Sequence, residues 1–117
     1  MNTVLIEVCP PERALTDMRQ AVRDGAPERE ARIGFASFEL LWKTLTPARW
    51  RLLDALTGAG PLGVRELARR VGRDVHAVHS DCAALAACGV IDKTADGKLH
   101  FPYDAVHVDF MLQKAAA

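Results

Sequence analysis

The sequence lacks a net charge, paired cysteines and long hydrophobic runs, and each absence excludes a class of protein. Its 15 basic residues are balanced by 15 acidic ones, which excludes a uniformly basic or acidic chain; nucleic-acid binding depends instead on where charge is placed. No apolar run approaches the roughly 18 residues of a membrane span, and residues 3–8 lack the basic leader of a signal peptide. We therefore expect a cytoplasmic protein with no membrane partner.

The cysteine pattern also argues against disulfides and metal. Cys9, Cys82 and Cys88 are odd in number and lack CxxC spacing, so we expect reduced thiols packed as small hydrophobic groups. His76, His79 and Cys82 follow three-residue steps, which spread them over about 120° of a helix, too far for one ion without a ligand from another chain. We expect no metal and no cofactor.

Catalytic motifs are missing as well. The chain has no Ser-His-Asp pattern in a recognisable context, no glycine-rich phosphate loop and no paired carboxylates in an apolar setting. We therefore expect that the protein is not an enzyme.

What is present indicates one small domain with an appendage. The chain has 117 residues, of which 50% are hydrophobic and 26% charged, enough for one core and too few for two. Residues 3–8 predict a strand and residues 12–24 a helix. The alternating charges of residues 28–32 predict a solvated linker or a frayed helix turn. Residues 1–34 thus read as a β-α extension and linker.

The second part, residues 35–117, begins with helical patterns. A first amphipathic helix is predicted from the spacing of Phe35, Phe38, Leu41, Trp42 and Leu45. Thr46-Pro47 predicts the start of a second helix that ends before Gly58. Two further helices are predicted over about residues 63–71 and 74–88, separated by a turn at Gly72 and ended by Gly89.

Strand patterns follow the helices. Residues 90–93 and 98–101 flank an Asp96-Gly97 turn, which predicts a hairpin. In residues 105–112, Val106, Val108, Phe110 and Leu112 alternate with polar or flexible residues, which predicts a half-buried strand. We expect this strand and residues 3–8 to pair either with each other or with a second subunit.

The segment ELARRVGRDVHAVHSDCAAL, residues 66–85, has the spacing of a helix-turn-helix. Small Ala68 allows two helices to cross closely, Gly72 suits a tight turn with positive φ, and Val78 fills the angle between the helices. The inner faces predicted for the two helices comprise Val64, Leu67, Ala68 and Val71, and Val75, Val78, Cys82, Leu85 and Ala86. His79 is expected at the edge of the core.

Three helices followed by a hairpin are the order of a winged helix. Over residues 46–101 the chain resembles winged-helix bacterial regulators of the MarR and ArsR groups. FASFELLWKTLTPARWRLLDAL, GRDVHAVHSD and PYDAVHVDF, within about residues 35–112, resemble small prokaryotic winged-helix proteins that include antitoxins paired with TumE-type toxins. The resemblance implies an α+β winged helix-turn-helix domain that binds double-stranded DNA as a homodimeric transcriptional repressor.

Charge is concentrated where such a domain meets DNA. Over residues 63–80, four arginines against two carboxylates leave a local balance of 4 − 2 = +2. In this fold the helix before the turn, here about residues 63–71, and the turn itself contact phosphates. The outward side of the helix after the turn, here about residues 74–88, faces base edges. The predicted DNA-binding residues are Arg65, Arg69, Arg70, Arg73, His76, Ala77, Ser80, Lys93 and Lys98.

Two alternatives remain open on the sequence alone. The four arginines also fit an ordinary solvated helix face, and contact between DNA and the lysines of the short hairpin is undecided because Asp92 and Asp96 offset their charge. The alternative function is a protein-interaction module, such as an antitoxin that neutralises a toxin partner through the amino-terminal extension.

Overall fold

The computed structural model describes residues 2–8 and 31–110, which form a small α+β fold. In this part of the chain there are five strands and four helices: β1 (Thr3–Val8), β2 (Ala31–Phe35), α1 (Phe38–Thr44), α2 (Pro47–Leu56), α3 (Val64–Val71), α4 (Val75–Ala87), β3 (Asp92–Lys93), β4 (Leu99–His100) and β5 (Ala105–Asp109). The predicted α+β class is confirmed. The helix predicted over residues 12–24 lies outside the described residues, as does Cys9. None of the described helices has the length and hydropathy that a membrane crossing requires.

β1 lies at the centre of a three-stranded parallel sheet with the order β2-β1-β5. Ile6 is opposite Ile33 on one side and Val108 on the other. The strands predicted at the two ends of the chain therefore pair with each other within one molecule. Beside this pairing, the main-chain N–H of Asp104 donates to the carbonyl of Asn2 at 2.7 Å, and the Asn2 amide group donates to the carbonyl of Pro102 at 2.6 Å.

The sheet corrects two predictions for residues 28–45. Ala31 and Arg32 belong to β2 rather than to a linker or helix turn, and Phe35 ends β2 rather than opening a helix. Burial alternates along this segment, as it does in a strand: Ile33 and Phe35 reach the core, whereas Arg32 points away from it. Nη1 of Arg32 lies 3.4 Å from Oε1 of Glu7 in β1. The boundary drawn after residue 34 falls inside β2, and strands from both sides of it share one sheet.

Capping residues set the starts of the helices. Ser37, Thr46 and Asp74 each accept a hydrogen bond from a main-chain N–H three residues later, in α1, α2 and α4 respectively. In α1 only part of the predicted apolar stripe is buried: Leu41 and the following Leu45 are in the core, but Trp42 is 66% exposed. A helix of seven residues presents too few turns to bury a full stripe.

One hydrophobic core joins the sheet to the helices. Its members come from every described helix and from β1, β2 and β4, with Val4, Ile6, Leu52, Leu56, Leu67, Val78 and Leu85 completely buried. The predicted inner sides of α3 and α4 are buried or half-buried as expected. His79 is exposed, so the prediction that it lies at the edge of the core is wrong.

A two-stranded hairpin follows α4. β3 and β4 pair antiparallel around the Thr94–Gly97 turn, where Gly97 has φ +84°, so the predicted hairpin is confirmed. Leu62, just before α3, forms two main-chain hydrogen bonds with Leu99 of β4, at 2.8 and 2.7 Å. The hairpin is thereby attached to the segment that leads into α3.

Gly72 ends α3 in the left-handed conformation, with φ +68° and ψ +36°. Its N–H donates to the carbonyl of Arg69, and the N–H of Arg73 reaches back to the carbonyl of Ala68 at 3.1 Å. These two hydrogen bonds provide partners for carbonyl groups at the end of α3. The chain then enters α4 after only two more residues. A Cβ at this position meets no atom within 4 Å, so only the backbone conformation disfavours other residues.

Gly72→Val should therefore lower the free energy of unfolding by about 1–2 kcal/mol, because a β-branched residue is strained in the left-handed region. Gly63→Ala is the matched control, since Gly63 has φ −69° and equal space around its Cα. The control should change the free energy of unfolding by less than about 1 kcal/mol, because the lower entropy of the unfolded chain offsets the poorer capping of α3 by alanine. Urea unfolding of both variants checks this, and equal stability of the two proteins would contradict the assigned turn.

Candidate nucleic-acid interface

The corner between α3 and α4 presents a polar surface over a buried apolar joint. Leu67 and Ala68 of α3 and Val78 of α4 are at most 2% exposed and form the joint. The turn residues then set the direction of α4, because Asp74 accepts a hydrogen bond from the main-chain N–H of Ala77 at 3.2 Å. The outward side chains of the two helices are thus carried on two elements that pack against each other.

Arg65, Arg69 and Arg70 lie on the exposed side of α3, and we refer to them as the arginine face. All three are exposed as the sequence predicts. The arginine face is not an unbalanced charge, however, because Glu66 lies within it. Arg69 donates to Glu66 through Nε at 2.9 Å and Nη2 at 2.5 Å, and Arg70 donates through Nε at 3.0 Å.

These contacts change the electrostatics of the carboxylate. Hydrogen bonds from Arg69 and then Arg70 lower the pKa of Glu66 from 4.5 to about 2. The Glu66 side chain therefore stays ionised at any physiological pH. It holds two guanidinium groups in place and cancels part of their charge, so Arg65 is the one member of the arginine face that Glu66 does not bind among the described contacts.

Arg73, which the sequence predicts to contact DNA from the turn, points inwards instead. Its side chain is only 28% exposed, and its Nη1 lies 3.0 Å from Oδ2 of Asp81 in α4. That nitrogen is buried and has no partner in hydrogen-bonding geometry among the described residues. Arg73 thus forms an ion pair that supports the turn.

Asp81 also forms an ion pair with a second arginine. Arg49 of α2 donates through Nε to Oδ1 of Asp81 at 3.2 Å and through Nη1 to the carbonyl of Thr44 at 2.9 Å. The carboxylate therefore connects α2, the turn and α4. Sequence reasoning missed both Arg49 and Asp81, because their separation of 32 residues leaves no local signal.

The exposed side of α4 carries small and polar groups. His76 and Ser80 are exposed as predicted, whereas Ala77 is half-buried. His79 and Ala83 also lie on this surface, which is the side opposite Val78, Cys82 and Leu85. We call His76, His79, Ser80 and Ala83 the outer side of α4. The short side chains of Ser80 and Ala83 allow a close approach to another surface.

The two lysines of the hairpin are exposed, Lys93 in β3 and Lys98 beside β4. Nζ of Lys98 lies 3.9 Å from Oδ2 of Asp96. The Thr94 hydroxyl donates to Asp96, and this hydrogen bond is the main cause of a lowered pKa at that carboxyl. Asp96 therefore remains a counter-charge at the tip of the hairpin.

The two described cysteines differ in environment. Cys82 is buried, and burial is the main cause that raises the pKa of its thiol to about 11. It fits the expected role of a small hydrophobic side chain. Cys88 is exposed, which contradicts that expectation because it lies at the end of α4 rather than within its apolar stripe. The described residues contain no group of three metal-binding side chains.

Comparison with known proteins adds one family. The family model described as HVO_A0114 matches residues 44–108, more than half of the chain. The matched region runs from the end of α1 through the helices and the hairpin into β5. No curated protein matches the chain.

NMR titration of the Glu66 carboxyl checks whether Arg69 and Arg70 hold hydrogen bonds to it in solution. We expect an apparent pKa of about 2 in the wild-type protein and a rise towards 4.5 in Arg69→Ala/Arg70→Ala. Because the folded pKa is depressed, the interaction stabilises the fold above pH 4.5, and this contribution is lost as the pH falls towards 2. Arg65→Ala is the control. A wild-type Glu66 that titrates near 4.5 would show that the arginines are released in solution.

Proposed function

The chain belongs to the HVO_A0114 family, and we propose that it is a sequence-specific DNA-binding transcriptional regulator with a winged helix-turn-helix domain. The observation that carries the proposal is the corner of α3 and α4. There a left-handed glycine joins an arginine-bearing helix to a helix with a small, polar outer side. Such a pair is suited to placing one helix in a groove while the other contacts the backbone.

The order and contacts of the elements support the winged-helix class. α2, α3 and α4 share one core, and the hairpin β3-β4 follows directly. The Leu62–Leu99 hydrogen bonds add a third, minimal strand to the hairpin, as expected of a wing attached to the helical part. The family match covers these elements and does not include β1 or β2.

In this proposal the arginine face contacts phosphates. Phosphate oxygens compete with Glu66 for Arg69 and Arg70, since guanidinium groups bind both kinds of anion in a bidentate manner. Hydrogen bonds to Glu66 already restrain the two side chains in the free protein, so less rotamer freedom is lost on binding. Arg73 acts indirectly, because its contact with Asp81 supports the turn that orients α4.

The outer side of α4 reads base edges. His76 and Ser80 carry donors and acceptors that match groups in the major groove, and Ala77 and Ala83 provide room and apolar contact. The hairpin lysines, Lys93 and Lys98, contact adjacent phosphates. The alternative function, an antitoxin-like module that binds a toxin protein, is discriminated by co-purification with the product of an adjacent gene.

Substitution of the arginine face tests the phosphate contacts. Arg69→Ala/Arg70→Ala should weaken binding to specific and random DNA alike and reduce the magnitude of the salt slope by about 0.9 per lost contact. Arg51→Ala, an exposed arginine of α2, is the control and should bind as the wild type does. Fluorescence anisotropy over a salt series measures the effect. Unchanged binding by the double variant rejects the proposed surface.

Substitution of α4 tests sequence reading. His76→Ala/Ser80→Ala should lose about 1–3 kcal/mol of preference for the protein's own promoter over random DNA for each base contact removed, with a salt slope close to that of the wild type. Both side chains are exposed, so the thermal unfolding midpoint should not change. A gel shift with competitor DNA measures the preference. If preference is retained, α4 is not the reading element.

A further inference from the structure

The sheet β2-β1-β5 has two edges, and they differ in chemistry. Among the described residues, no strand pairs with the outer edge of either β2 or β5. β2 exposes Arg32 and Gly34 but no large apolar side chain. β5 instead carries Val108 at 39% and Phe110, just beyond its end, at 44% exposure. The edge of β5 is therefore the one that offers apolar surface to a partner strand.

An aromatic cluster extends the apolar surface beside this edge. The ring of Phe38 in α1 lies 5.3 Å from that of Phe110 and stacks on Trp42 at 5.6 Å. Trp42 remains 66% exposed. We call Val108, Phe110, Phe38 and Trp42 the edge patch. Trp42, which the sequence places in a buried stripe, is the most exposed member of this patch.

We infer that a second copy of this chain pairs with β5, antiparallel and about a two-fold axis at Val108. In this register Val108 is opposite its own counterpart, and Phe110 is opposite Val106 of the second copy. The two sheets then form one continuous six-stranded sheet, and the apolar side chains of both copies lie on the same side of it. The inference concerns self-association and does not depend on DNA binding.

Charge complementarity favours the second copy over an unrelated partner. His107 and Asp109 are both exposed on the other side of β5. In the antiparallel register centred on Val108, each His107 is opposite an Asp109, so the imidazole N–H donates to a carboxylate twice by symmetry. A strand whose own sequence supplies both members of each cross-strand pair is suited to pairing with itself.

The size of a stable interface requires the aromatic residues as well. Specific dimers bury on the order of 1,200–2,000 Å² in total, which is more than two paired five-residue strands supply. Phe110 and Trp42 lie beside the strand and are 44% and 66% exposed. Their exposed parts are the aromatic surface of the described residues that adds to the area of the paired strands.

The first experiment places like charges on the two-fold axis. Val108→Glu should raise the dimer dissociation constant by about 100-fold or more, because two carboxylates then face each other. Leu40→Glu is the matched control, since Leu40 is 45% exposed on the other side of α1, and it should remain dimeric. Sedimentation equilibrium gives the constants, and thermal unfolding verifies that both variants are folded.

The second experiment tests the register itself. His107→Glu should weaken the homodimer, since it places two carboxylates opposite one another. Asp109→Lys should also weaken it, since it removes the carboxylate that accepts the His107 N–H and puts an ammonium group in its place. An equimolar mixture of the two variants should form a heterodimer close to wild-type affinity. In that heterodimer the introduced carboxylate of one chain faces the introduced ammonium group of the other, and the unchanged Asp109 faces the unchanged His107. A parallel arrangement or a different register does not give this rescue.

The outcomes show whether the partner of β5 is a second copy of this chain or a different protein. A wild-type dimer that Val108→Glu dissociates and the charge exchange restores supports the inference. A wild-type protein that is monomeric at high micromolar concentration overturns it and leaves the edge patch to a different protein partner. A dimer that Val108→Glu leaves intact also overturns it and moves the contact elsewhere.

Discussion

The central position of β1 is the constraint on which the rest of the structure depends. This strand uses both of its edges, one with β2 and one with β5, so it holds together segments that lie near the start and the end of the described chain. Val4 and Ile6 are fully buried and belong to the same core as the helices. β1 is therefore part of the same fold as α3 and α4, rather than an independent attachment.

Charge in this protein is organised by pairing. Glu66 binds two arginines of α3, and Asp81 receives one arginine from the turn and one from α2. The first arrangement is exposed and exchangeable, because water and anions reach it. The second is half-buried and connects three elements. Two groups of arginines with the same formal charge thus have different roles, and the difference comes from their burial and from the position of the carboxylate.

The local features of the fold were predictable from the sequence because each has a short-range physical cause. The cap at Thr46, the left-handed turn at Gly72, the Asp96-Gly97 hairpin and the inner sides of α3 and α4 depend on residues within one or two turns of each other. Errors arose where distant residues decide. Phe35 joins a strand because β1 is beside it, and Arg73 turns inwards because Asp81 lies opposite it on the next helix. Trp42 is a separate case, since its exposure follows from the shortness of α1. The sequence predicted which arginines of α3 are exposed. It did not predict that Glu66 forms hydrogen bonds with two of them, because Glu66 entered the prediction only through the local net charge.

The parallel sheet also determines the order in which the chain can fold. β1 is made first, yet the strand that completes its second edge, β5, ends at Asp109, after every described helix and the hairpin. Pairing between strands so far apart requires closure of a long loop and raises the contact order, which slows folding. During synthesis one edge of β1 stays unpaired until β5 has been made. Over that interval Val4 and Ile6 lack part of their packing, and such an unpaired apolar strand favours aggregation of the partly made chain.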